Sequence, residues 1–308
     1  MLIGIFGDHH ASRSLPHSAS GKRYEFQKKL LWKVLQPFDL TIHLGDLTHK
    51  KNHIDGKILE DYYNIFKGKK SIHLLGNHDR SRNGDKYVSM VEILSEMIDG
   101  LEVVTDIEKY KLDGVNFLAT SYYADAEDIS NNLSGQTDYC LGHWNFYNSN
   151  WKTGKKMKPR SDVRYILGHD HNPKTRGNVK YIGCMNPLRF GEKQGEVLAF
   201  DDGEVKVWDY PFGEKFIVTD EEIEVDEPKN TYMKLVVDNL SESERLKEKY
   251  SNLAHFSIKY DTDNNIGTDV VEPESNIKTH TDYLEEACEE LGYDPDELKD
   301  YHNKISAS

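Results

Sequence analysis

The sequence predicts a layered α/β fold followed by a strand-rich half, and three observations carry that reading. Over the first hundred positions, apolar runs of four to six residues alternate with segments of helical period. Five apolar runs end in a glycine followed by Asp, Asn or His: Phe6-Gly7-Asp8, Leu44-Gly45-Asp46, Leu75-Gly76-Asn77, Leu141-Gly142-His143 and Leu167-Gly168-His169. After Gly100 the helical periods give way to closely spaced strand-like runs.

In chain order, Leu2–Phe6 reads as the first buried strand, and residues 11–22, rich in Ser, as a loop beside its end. Phe26, Leu30, Leu31 and Leu35 share one helical face, which predicts a helix over Tyr24–Gln36. Asp39–Leu44 and Lys70–Leu75 are the second and third strands, with helices expected at 57–66 and at Val88–Ile98. This β-α-β-α-β-α order is that of a layered α/β domain. Further strands are expected at Leu101–Val104, Val115–Thr120, Asp138–Leu141, Val163–Leu167, Val179–Ile182, Glu196–Phe200 and Val205–Trp208.

These elements make one large domain over residues 1–215. The acidic run Asp220–Glu227 reads as a linker. Tyr232–Val237 and Ala254–Tyr260, strands separated by a helical stretch, make a small second domain at 228–270. The end of the chain, residues 281–308, has Leu284, Ala287, Leu291, Leu298 and Ile305 at helical spacing. It is read either as a docking element or as a cap on its own domain.

No apolar run approaches the roughly 20 residues of a membrane span, and no signal-peptide pattern opens the chain, so a cytoplasmic location is expected. Cys140, Cys184 and Cys288 are far apart, without zinc spacing, which fits a reducing compartment and ordinary core packing. The net charge of -14 is uneven: residues 1–215 hold 30 Lys and Arg against 29 Asp and Glu, and residues 216–308 hold 9 against 24. The half with the glycine-ended strands is thus near neutral, which leaves a nucleic-acid substrate open.

Functional groups of open α/β sheets gather beyond the carboxyl ends of the strands. Those ends deliver Asp8, His10, Asp46, Asn77, His143, His169 and His171 to one surface, enough for two metal ions. The D-x-H spacing favours His10 over His9. Asp, Asn and neutral His suit Mn²⁺, Fe²⁺ or Zn²⁺. One carboxylate must bridge a pair of ions, and Asp46, on a central strand, is the choice. His78, with Asp79 beside it to orient the imidazole and keep it protonated, is expected to act as general acid for the leaving alkoxide or as a cation on the developing phosphorane charge. Between His143 and His169 runs a basic and aromatic segment with Trp151, Lys152, Lys155, Lys156, Lys158 and Arg160, either a solvated loop or a phosphate-backbone contact.

With D-x-H at 8–10, G-D at 45–46, G-N-H-D at 76–79, G-H at 142–143 and G-H-D-H at 168–171, the chain resembles the calcineurin-like metallophosphoesterase superfamily. Asp46-Leu47-Thr48-His49, Gly142-His143-Trp144 and Tyr181-Ile182-Gly183 before Asn186-Pro187 look most like the SbcD-type nuclease subunits of SbcC/SbcD recombination complexes. The resemblance implies a four-layer α/β/β/α sandwich with a small C-terminal α+β capping domain. It implies that Asp8, His10 and His171 bind a first metal and Asn77, His143 and His169 a second, bridged by Asp46, the ions being Mn²⁺. His78 would be the catalytic histidine and His49 a DNA-side histidine.

It further implies DNA as substrate, an SbcC-like ABC-type ATPase with a coiled coil as partner, docked by the C-terminal segment, and a homodimer. The small size suits a bacteriophage version acting in the host cytoplasm. The function expected is a metal-dependent DNA exonuclease and endonuclease of recombination, repair or replication. The alternatives are a phosphatase or cyclic-nucleotide phosphodiesterase on a small substrate, and a scaffold with a vestigial site.

Overall fold

β1 (Ile3–Phe6) is buried along its length, and the chain crosses back through α1 (Lys22–Leu35) to lay β2 (Leu40–His43) parallel beside it. The computed structural model describes residues 1–14, 22–51, 53–80, 89–147, 154–210, 215–226, 231–237 and 243–260. The expected helical segment 281–308, Trp151 and Lys152 lie outside the described residues. α2 (Gly56–Phe66) leads to β3 (Ser71–Leu74), and α3 (Met90–Met97) to β4 (Leu101–Val104), both strands parallel to their predecessors. Local chemistry sets the helix starts. The Asp55 carboxylate accepts the amides of Lys57 and Ile58 at the head of α2, and Ser89 and Glu92 form a reciprocal capping box on α3.

The second sheet opens with a hairpin, β5 (Ile107–Leu112) and β6 (Val115–Thr120), turned by Asp113-Gly114 at φ of 51° and 82°. Two positive φ angles in a two-residue loop match the twist of the strands they join. After the short α4 (Ala126–Asn132) come β7 (Tyr139–Gly142) and β8 (Arg164–Leu167), parallel to β6, then β9 (Lys174–Arg176) and β10 (Val179–Tyr181). The chain then returns to the first sheet with β11 (Val197–Asp201), antiparallel to β1, and β12 (Glu204–Trp208). Each sheet has six strands, in the orders β12-β11-β1-β2-β3-β4 and β5-β6-β7-β8-β10-β9.

Ile3, Ile5, Ile42, Leu74, Phe117, Leu141, Ile166 and Phe200 of the two sheets share one buried cluster, so the sheets pack face to face. α1, α2 and α3 bury Tyr24, Leu31, Ile58, Tyr62 and Val91 on the outer face of the first sheet. Ile129 of α4 joins Cys140, Trp144 and Tyr165 on the outer face of the second. The result is the α/β/β/α sandwich. Cys140 and Cys184 are buried free thiols.

A third sheet has three parallel strands, β13 (Lys215–Thr219), β14 (Thr231–Val237) and β15 (His255–Tyr260), with α5 (Ser243–Lys249) between the last two. It reaches back beyond residue 228, because Lys215–Thr219 pairs with β14 along its length. The acidic segment expected as a linker packs instead: Ile223 and Val225 join the core of this sheet, and the Glu222 carboxylate is held by Arg245 and Lys249. All described residues belong to one compact unit, Met1–Tyr260. No described helix is long and apolar enough to cross a membrane.

Candidate metal centre

The carboxyl ends of β1, β2 and β3 in one sheet and of β7 and β8 in the other open on the same place, and the loops leaving them are tied to each other. The amides of Asp8 and His10 donate to the carbonyls of Gly45 and Asp46 at 3.0 and 2.9 Å. The amide of His169 donates to the Asp8 carboxylate at 3.0 Å, and that of Gly168 to the Gly142 carbonyl at 2.9 Å. Asp8, His10, Asp46 and His169 are held at φ of 50°, 51°, 56° and 75°. Such left-handed backbone costs a non-glycine residue on the order of 1–3 kcal/mol and persists where surroundings enforce it.

Three donor clusters result, each with its donor atoms within 4.8 Å of one another. Two hold expected ligands: Asp8, His10 and His171 form the first and Asp46, His143 and His169 the second; His10, His49 and His78 form the third. Asp46 touches the first two: its Oδ2 lies 3.2 Å from His143 Nε2 and 3.5 Å from His10 Nε2. Asn77 Oδ1 is 3.2 Å from His143 Nε2. All seven ligands expected from the sequence therefore meet. His9 joins none of the clusters; it is fully buried, its ring 5.9 Å from that of Tyr62.

The hydrogen bonds behind these groups test whether cations fit. His143 donates from Nδ1 to the Leu44 carbonyl at 2.7 Å, which turns Nε2 to the oxygens of Asp46 and Asn77. His171 donates from Nδ1 to Glu192 at 2.9 Å, and its Nε2 lies 3.1 Å from His10 Nε2. Donor atoms that converge in a buried site repel unless a positive charge, a proton or a metal cation, lies between them. Burial lowers the affinity of His143 for a proton, yet Asp46 and Asp8 override it and raise its pKa to about 9. Burial pushes the Asp8 carboxyl up to about 6 despite His143. Burial would raise the Asp46 carboxyl too, but His143 and His10 hold it far below the usual carboxylate range. The donor set fits divalent cations.

Glycine serves this site partly by turning and partly by being small. Gly45 turns at φ 102°. Gly76 does not sit at positive φ; a Cβ there would come within 2.1 Å of Asp46 Oδ1 and 2.2 Å of the Asp46 nitrogen. The glycine before Asn77 is thus required by close approach.

His78 and His49 stack beside the first cluster, ring centroids 5.4 Å apart and 16° from parallel. Asp79 corrects an expectation: its carboxylate does not orient His78. It accepts the amides of Asp46 at 2.8 Å, Gly76 at 2.9 Å and Thr48 at 3.0 Å, and the Thr48 hydroxyl, so it clamps the ends of β2 and β3 together. What holds His78 is the His49 carbonyl, which accepts its Nδ1 proton at 2.6 Å.

The basic segment divides. Lys155 directs its ammonium to the carbonyls of Tyr122, at 2.9 Å, and Ala124. Arg160 pairs with Asp162 and donates to the Leu133 carbonyl. Lys155 is drawn against the fold by these backbone carbonyls, while Arg160 stays partly exposed, its guanidinium shared between Asp162 and the Leu133 carbonyl. Lys156 and Lys158 are exposed.

Two site residues were not expected. Tyr122 lies with its ring 5.4 Å from that of His169. It follows the carboxyl end of a parallel strand, so the rule that located the other ligands pointed to it. Glu192, against His171, carried no signal, since it lies in a loop far along the chain.

A family model described as calcineurin-like phosphoesterase matches residues 1–196. None of the curated proteins matches the chain. A solved structure of a novel archaeal phosphodiesterase is 15% identical, covers 68% of this chain and 99% of its own, and superimposes with a TM-score of 0.38. The nuclease MPE of Pseudomonas putida is 14% identical over 66% of this chain and 86% of its own, with a TM-score of 0.35. The purple acid phosphatase PPD1 of yellow lupin seeds is 16% identical over 68% of this chain and 45% of its own, again with a TM-score of 0.35.

Proposed function

The chain belongs to the calcineurin-like phosphoesterase family, and from that premise we propose that it is a Mn²⁺-dependent nuclease that hydrolyses DNA phosphodiester bonds. Hydrolysis of phosphoesters at a metal-binding His and Asp site is the family's chemistry; DNA as substrate and Mn²⁺ as the ion are our reading. Two divalent cations bound at the site would supply positive charge for the developing phosphorane and acidify the attacking water.

The observation that carries the DNA reading is the stacked pair His49 and His78 beside the first cluster. With Nδ1–H of His78 committed to the His49 carbonyl, Nε2 is the atom left to hold a proton for the departing 3′ or 5′ oxygen. His49 adds a second imidazole on the same side, facing the substrate strand. Asp79 and the glycine-tight loops keep Asp46 in place while the charge moves.

In this reading DNA lies across the ends of both sheets, Lys156 and Lys158 meet its phosphates, and residues 281–308 dock an SbcC-like ABC-type ATPase. A homodimer would present two such sites to one duplex. The reaction would serve recombination, repair or replication.

One observation favours a second reading, a small-substrate phosphatase or cyclic-nucleotide phosphodiesterase. Lys155 and Arg160 are spent on internal contacts, so the segment offers less positive charge to a polyanion than its composition suggests. The test is hydrolysis of a linear duplex and of bis-p-nitrophenyl phosphate by the purified chain with Mn²⁺, beside His78→Ala. DNA degradation lost in the variant supports the nuclease. Turnover of the small ester alone, with DNA intact even when an SbcC-like ATPase is added, sinks it.

A further inference from the structure

We infer that Glu192 is the positioning residue for His171, and that it makes the first donor cluster chemically unlike the second. The inference rests on the metal-centre reading above.

Glu192 accepts the Nδ1 proton of His171 at 2.9 Å, and its side chain is only 4% exposed. A buried carboxylate is costly to keep without compensation. This one is built in: Oε2 accepts the Leu188 amide at 2.8 Å, and Oε1 also accepts Arg189 Nε at 2.9 Å. Its loop is stitched to the His171 segment at both ends, by the Cys184 amide on the His171 carbonyl at 3.0 Å and the Lys193 amide on Asn172 Oδ1 at 2.8 Å. The buried Arg23 guanidinium fastens the same loop from another side through the carbonyls of Pro187, at 2.7 Å, and Leu188, at 3.2 Å. The carboxylate therefore meets His171 from a fixed direction.

Two consequences follow for the ring. An acceptor on Nδ1 keeps a proton there, so Nε2 is the nitrogen turned to His10 and Asp8 and the one that can give up its proton to a metal. A negative acceptor also raises the electron density of the donating nitrogen, as carboxylates behind metal-binding histidines do. His143, in the second cluster, has the neutral Leu44 carbonyl in the same position. Among the described residues, the carboxylate-backed histidine is His171, in the cluster with Asp8 and His10.

The experiment is a calorimetric titration of the metal-free chain with Mn²⁺, wild type beside Glu192→Gln, together with ¹⁵N spectra of the imidazoles before metal is added. Wild type should bind two equivalents and show His171 protonated at Nδ1. Glu192→Gln should lose roughly 10–100-fold in affinity for one equivalent, leave the other unchanged, and alter the His171 tautomer. Two unchanged binding events with an unchanged tautomer would overturn the inference while leaving the metal centre intact. No Mn²⁺ binding by wild type would overturn both. Should Glu192→Gln not fold, the wild-type spectrum decides, because a neutral His171 with its proton on Nε2 and none on Nδ1 in the folded, metal-free chain is incompatible with the role.

Discussion

His78 gives its Nδ1 proton to the backbone carbonyl of His49 at 2.6 Å, so the ring at the proposed proton-transfer position is held by a peptide, not by a carboxylate. His78→Ala should reduce turnover by about 10²–10⁴-fold, the range of a lost general acid. Bound metal, measured by elemental analysis, should be unchanged, because the Nδ1 contact is outside both ligand clusters proposed for the two ions. Loss of metal together with activity would place His78 among the ligands.

Gly76→Ala should be severe although no glycine-specific φ is needed there. The added Cβ would fall 2.1 Å from Asp46 Oδ1, and Asp46 has nowhere to go while Asp79 holds its amide. Loss of metal binding, or a destabilisation of about 3 kcal/mol or more in urea, is expected from such overpacking. Gly135→Ala is the control, since a Cβ there meets nothing within 4 Å; equal effects of the two changes would refute the close-approach argument.

Neutralising Lys156 and Lys158 together should weaken duplex binding and lower the slope of log affinity against log salt by about 2. Hydrolysis of bis-p-nitrophenyl phosphate should survive. Lys155→Ala should instead lower the melting temperature, since its ammonium closes the carbonyls of Tyr122 and Ala124. A change in salt slope with Lys155→Ala but none with the double variant would reverse these roles.

His73 is fully buried and burial lowers its pKa to about 3, while in the unfolded chain it titrates near 6.5. Between those values the unfolded state binds the extra proton, so the stability His73 contributes is present above about pH 6.5 and is lost as pH falls. By pH 5 the loss is about 2 kcal/mol. His43, stacked on it at 5.3 Å and also lowered by burial, acts in the same direction. Urea midpoints measured from pH 7 to pH 5 should fall less steeply in His73→Gln than in wild type; parallel curves would show that His73 is not the buried neutral group described.

Deleting residues 281–308 should leave Mn²⁺-dependent hydrolysis in place and abolish co-purification with an SbcC-like ATPase. Association unchanged by the deletion would remove the docking proposal.

The primary structure alone pointed to the seven candidate ligands that meet at the site; Tyr122 and Glu192 beside them were not expected from it. Asp8, Asp46, Asn77, His143, His169 and His171 each stand just past an apolar run, and a parallel strand must end where such a run ends. Strand and helix order followed from hydrophobic period for the same reason. What escaped was weakly patterned: β5 is largely charged and half-buried at a sheet edge, α4 is rich in Asn and Asp, and β13 lies beside an acidic run. The Asp113-Gly114 turn was the one local signal of that hairpin. Only the tertiary structure decided which groups stand behind the ligands. Asp79 faces peptides and not His78, Lys155 turns to backbone carbonyls, Arg160 pairs with Asp162, and Glu192 reaches His171 from 21 residues away. These partners are chosen by hydrogen-bond direction and burial across distant loops, and neither leaves a periodic mark on the chain.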